Sequence, residues 1–96
     1  MTESEIQRDI KKYLEDAGFR VYRMNSGYLK KNVKLAPPGT PDLMVISPFG
    51  KTTWIEVKTE TGKVSDIQLV MHIILASYGQ LVIIARSVED VKEIVI

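Results

Sequence analysis

The chain has 96 residues, of which 45% are hydrophobic and 26% charged, with a net charge of +1 and no cysteine. This length supports one hydrophobic core but not two, so residues 1–96 read as a single globular domain rather than a disordered or coiled-coil chain. Disulfides, thiolate metal sites and cysteine nucleophiles are excluded. No leader-like segment opens the chain, and its richest apolar stretch, 67–85, is broken by Gln68, His72, Ser77, Gly79 and Gln80, so the expectation is a cytoplasmic protein with no membrane span.

Thr2 or Ser4 can cap a first helix that runs to about Ala17 and stops at Gly18, with acids in its first turn. Ile6, Ile10, Tyr13, Leu14 and Ala17 form its apolar stripe. Residues 19–24 then alternate, placing Phe19, Val21 and Tyr22 among arginines as a half-exposed strand. Residues 25–40 read as a long loop with a small hairpin around 28–35, and loops of this length are usually functional or mobile. Between Asp16 and Asp42 there is no acid, while Arg20, Arg23, Lys30, Lys31 and Lys34 all fall there. Such a segment suits a polyanion, and suits a solvated basic loop equally well.

Two strands follow, 42–47 and 52–58, joined by Pro48-Phe49-Gly50. The run Leu43-Met44-Val45-Ile46 lacks alternation and is expected to be buried on both faces. Ser65 opens a second helix, with Gln68 completing a capping box, and the helix ends near Tyr78 before Gly79. Residues 81–85 form a continuous apolar strand, expected at the centre of the sheet, and Ser87 and Asp90 cap a short last helix reaching about Glu93. The order αβββαβα describes an α/β fold, a mixed β-sheet flanked by helices.

The chemistry concentrates between Asp42 and Lys58. Trp54, Glu56 and Lys58 share one face of their strand, and Ile55 and Val57 the other. A three-residue loop of Pro48, Phe49 and Gly50 sets Ser47 against Lys51. Counting back from there puts Asp42 opposite Glu56, with β-carbons about 5 Å apart. Two carboxylates that close repel unless a cation lies between them or one is protonated. Oxygen ligands favour a hard cation, magnesium or manganese. Each piece alone is an ordinary turn or surface ion pair; their convergence across one hairpin favours a site for metal-assisted phosphodiester hydrolysis. Trp54 shares that face and is expected to pack under the first helix rather than stack on bases. His72 follows Gln68 by one helical turn and reads as a packing or surface histidine.

Pro41-Asp42 followed by Glu56-Val57-Lys58 resembles the signature of the PD-(D/E)xK nucleases, which have the restriction-endonuclease-like fold. Gly39-Thr40-Pro41-Asp42, Ile55-Glu56-Val57-Lys58-Thr59 and Gly62-Lys63-Val64-Ser65-Asp66-Ile67-Gln68 together are similar to the VRR-NUC branch. The likeness extends to Glu5-Ile6-Gln7 and Ala85-Arg86-Ser87. It implies that Asp42, Glu56 and the Val57 carbonyl ligate magnesium or manganese, with a further acid from the first helix, Glu5 or, failing that, Glu3. Lys58 would position or deprotonate the attacking water, and Gln68 would lie near the site as a catalytic residue. Arg23, Asn25, Ser26, Tyr28, Lys30 and Lys31 would contact DNA backbone.

The branch further implies an endonuclease that resolves four-way (Holliday) junctions as a homodimer in a bacterial or phage-infected cell. Its hydrolysis would leave a 5′-phosphate and a 3′-hydroxyl. Flaps, nicks or single strands as substrates, or a catalytically weak nucleic-acid-binding accessory module, are the alternatives.

Overall fold

A computed structural model describes residues 1–24, 28–30, 33–34 and 36–94, with the backbone alone at 28–30 and 33–34. The elements run α1 (Glu3–Asp16), β1 (Arg20–Arg23), β2 (Tyr28–Lys30), β3 (Val33–Lys34), β4 (Leu43–Ile46), β5 (Thr52–Val57), α2 (Asp66–Ser77), β6 (Leu81–Ala85) and α3 (Val88–Lys92). Four strands form a mixed sheet in the order β1-β4-β5-β6, antiparallel except for the parallel pair β5-β6, and β2-β3 make the small separate hairpin. The expected α/β class and element order hold.

Local signals explain the boundaries. Thr2 caps α1 through a capping box with Glu5, and Ser65 caps α2 through one with Gln68. The β4-β5 turn closes with Gly50 N donating to Ser47 O at 2.9 Å, and Gly50 adopts φ 87°, which a β-carbon would disfavour. The register is the expected one: Ser47 N bonds Lys51 O at 2.8 Å, and Leu43 pairs with Ile55.

The sheet has two unlike faces. On one, Leu43, Val45, Ile55, Val57 and Ala85 pack with Ile6, Ile10 and Leu14 of α1 and Val91 of α3, forming the core. The other face bears α2, whose His72 is its buried residue.

Three expectations need correction. Among the described residues strand β6 is not central but an edge strand, paired in the sheet with β5. Its apolar run follows from α3 on one face and α2 on the other, with Leu81 and Ile84 still exposed. Strand β4 is buried on one face; Met44 and Ile46, on the other, are half-buried because α2 covers that side incompletely. Trp54 lies on this second face, opposite α1, and its indole N–H donates to Gln80 Oε1 at 3.0 Å beyond the end of α2.

Candidate active site

The acidic pair is assembled where the β4-β5 ladder ends. Thr40 binds Pro37 O through its hydroxyl at 2.7 Å, shaping the turn that leads into Pro41 and Asp42. Gly39, at φ 85°, lies so near α2 that a β-carbon there would fall 2.6 Å from Ile67 O. Only glycine allows this approach, which ties the turn before Asp42 to the first turn of α2. The β4-β5 ladder ends at the Leu43–Ile55 pair, and Asp42 and Glu56 are the next residues outward on the two chains. Asp42 Oδ2 accepts a hydrogen bond from Val57 N at 2.7 Å, which fixes the carboxylate beside the peptide following Glu56.

Glu56 is 1% exposed, an unusual setting for a carboxyl group. Its Oε1 lies 3.1 Å from His72 Nε2, and its Oε2 accepts from Gln68 Nε2 at 3.4 Å. Burial pushes its pKa up to about 9, helped by a hydrogen bond to Asp42 and the repulsion of that carboxylate. Lys58 opposes the shift, and Glu3 adds a smaller repulsion. His72 moves the other way: burial lowers its pKa, as does the charge of Lys58, while Asp42 resists. Without a cation the cluster therefore holds a proton on its carboxyl pair and a neutral imidazole beside it.

Lys58 is 8% exposed and follows β5 directly, its N–H donating to Ala85 O at 3.0 Å. Its charge acts on both Glu56 and His72, so the amine, the carboxyl pair and the imidazole occupy one neighbourhood. Gln68 carries two roles at once. Its Oε1 accepts from Ser65 N at 3.0 Å in the cap, while its amide nitrogen reaches Glu56. His72, read from sequence as packing or surface, is indeed buried, and its contact with Glu56 is what that reading did not assign. Its helical spacing from Gln68 was the available signal, since Gln68 was already expected near the site.

Both candidate acids of the first helix, Glu5 and Glu3, lie in the first turn of α1. Glu5 Oε1 accepts from Thr2 N at 2.8 Å, and the Thr2 hydrogen bonds lower its pKa. Glu3 is the acid of that turn whose charge reaches Glu56. Arg23 stands at the end of β1 next to the Asp42 segment, since Met24 N bonds Asp42 O at 2.9 Å. Its guanidinium donates to Gln7 Oε1 at 2.8 Å. Tyr28 and Lys30 lie in β2, where only the backbone is described, and Asn25, Ser26 and Lys31 fall outside the described residues.

A hard divalent cation fits this donor set. Two carboxyl groups, one almost wholly buried, are held together at the cost of a raised pKa, and a cation between them would remove that cost. Among the described residues no three His, Asp or Glu side chains stand ready as a closed cluster. The donors on offer are Asp42, Glu56 and backbone carbonyl, which leaves positions for water and substrate oxygens as magnesium prefers.

No protein-family model matches the chain, and neither does any curated protein. A solved structure described as a VRR_NUC domain does match: the TM-score is 0.76 at 27% identity, over 98% of this chain and 95% of that one. The shape, the sequence identity and the span agree with the motif at Asp42, Glu56 and Lys58, and over nearly its whole length the chain is similar to a VRR-NUC nuclease domain.

Proposed function

We propose that this domain of nuclease type is a divalent-metal-dependent, structure-selective DNA endonuclease that resolves four-way junctions. The observation that carries the reading is the convergence of Asp42, Glu56 and Lys58 at the end of the β4-β5 ladder. Asp42, Glu56 and the Val57 carbonyl would hold magnesium or manganese, with Glu3 rather than Glu5 as the first-helix acid. When bound, the cation supplies Lewis acidity toward the scissile phosphate. Lys58 aligns the attacking water and offsets charge that builds on the phosphate oxygens, or, as the neutral amine, takes up the water's proton. Gln68 and His72 keep the Glu56 carboxylate aimed. Arg23, with Asn25, Ser26, Tyr28, Lys30 and Lys31 beyond it, would follow the DNA backbone.

A four-way junction is close to twofold symmetric and is served by a twofold dimer. In support, α2 exposes Ile67, Leu69, Val70, Ile73 and Ile74, and Ile73 is 60% exposed. Apolar patches beyond a few hundred Å² are rare on monomers, and a standard interface covers about 800 Å² per partner. No described helix is long and apolar enough to cross a membrane, and the site of action would be the cytosol of a bacterial or phage-infected cell. The test is cleavage of a four-way junction, a flap, a nicked duplex and plain duplex side by side with manganese. Paired opposed nicks in the junction, made by a protein of twice the chain mass, are expected. Equal cutting of all four DNAs would refute junction selectivity, and binding without cutting would point to an accessory module.

A further inference from the structure

We propose that Arg86 is a positioning residue for Lys58, acting through the turn between β5 and α2. The inference rests on the reading of Lys58 as the catalytic amine. Arg86 follows β6, and its backbone N–H donates to Asp90 Oδ2 at 2.7 Å, anchoring it at the start of α3. From there its Nη1 donates to Gly62 O at 2.6 Å, Thr59 O at 2.7 Å and Glu60 O at 3.3 Å. One guanidinium nitrogen thus gathers three carbonyls of the turn that begins immediately after Lys58. Carbonyl dipoles converging in this way repel one another unless a cation sits at their focus.

The turn in turn bounds Lys58. Gly62 N donates to Thr59 O at 3.2 Å, and a β-carbon at Gly62 would lie 3.6 Å from Lys58 Cδ and 3.0 Å from Thr59 Oγ1. The Lys58 stem therefore lies along the turn that Arg86 draws together. If that turn relaxes, the amine loses a wall and its aim, while Asp42 and Glu56, held from β4, β5 and α2, do not. A lysine at 86 would keep the charge but place its ammonium on a stem of different length, so it should substitute only in part.

The experiment compares wild type, Arg86→Ala and Arg86→Lys by junction cleavage with manganese, manganese calorimetry and amide hydrogen exchange at Gly62. Displacement of a catalytic group by about 1 Å costs on the order of 100-fold. A fall of that size in kcat is expected for Arg86→Ala, with KM and manganese affinity near wild type and faster exchange at Gly62. Arg86→Lys should fall between, and added methylguanidinium should restore part of the Arg86→Ala rate and slow Gly62 exchange. Wild-type kcat in Arg86→Ala, unchanged Gly62 exchange, or loss of manganese affinity in step with kcat would overturn the proposal. A wild-type chain that cuts none of these DNAs would overturn the catalytic reading and with it this role toward Lys58. Gly62 exchange would then still decide whether Arg86 holds the turn.

Discussion

Ile55 and Glu56 are neighbours in β5, yet they meet opposite surroundings. Ile55 is fully buried between α1 and the sheet, in a cluster where every side chain is apolar. Glu56, 1% exposed on the other face, is surrounded by Asp42, Lys58, Gln68 and His72. The period of two in a strand sorts the residues in this way, so one strand serves as keel on one side and reactive surface on the other. The apolar face gains free energy by excluding water. The polar face spends some of it, because it confines groups that water would solvate better. Substitutions on the two faces should therefore separate stability from activity.

The widest separation is expected at Lys58. Lys58→Ala should lower the cleavage rate by on the order of 1000-fold, the scale of a lost proton-transfer or charge-stabilising group, with the melting temperature little changed. Activity assays beside thermal melts will check this, and wild-type turnover would remove Lys58 from the chemistry. On the core face of the same strand, Ile55→Ala should do the reverse. Deleting a fully buried isoleucine side chain costs about 2–5 kcal/mol, measurable by urea unfolding, while the surviving folded fraction should keep its cleavage rate.

Titration gives a sharper contrast. Glu56 holds its proton more tightly folded than unfolded, with a folded pKa of about 9 against an ordinary 4.5. The metal-free native state thus binds more protons between these values, and its stability falls as pH rises from about 4.5 towards about 9. The slope from this one group is at most about 1.4 kcal/mol per pH unit. Glu56→Gln should flatten that dependence and raise metal-free stability at alkaline pH. Denaturant unfolding at several pH values with chelator will show it, and an identical slope in both proteins would contradict the account. The smallest effect is expected at His72, which touches the carboxylate rather than a substrate. His72→Ala should weaken manganese binding about tenfold, by calorimetry, as losses of groups that orient ligands do.

Much of this arrangement was legible in the sequence because it depends on counting. Pro48-Phe49-Gly50 specifies a short hairpin, and from it the opposition of Asp42 and Glu56 follows by arithmetic along two strands. The helix cap at Ser65 was equally readable, being a local hydrogen bond, while the first cap stood open between Thr2 and Ser4 and falls on Thr2. Coverage was not. An apolar run such as 81–85 states that something packs on it, not whether another strand lies alongside, and β6 proved to be an edge. The same limit misplaced Trp54, since alternation assigns residues to faces without saying which helix covers each. The contact of His72 with Glu56 escaped for a related reason: the two are 16 residues apart, and only the packing of α2 on the sheet joins them.

The most direct test of a cation held between Asp42 and Glu56 beside Lys58 is the proton count on metal binding. Calorimetric titration with manganese at pH 7.5, repeated in buffers of different ionisation enthalpy, should show uptake of the ion with release of about one proton, because Glu56 must give up the proton it holds at that pH. Glu56→Gln should abolish both the binding and the release. Manganese that binds equally well to wild type and Glu56→Gln, or does not bind wild type at all, would contradict the site.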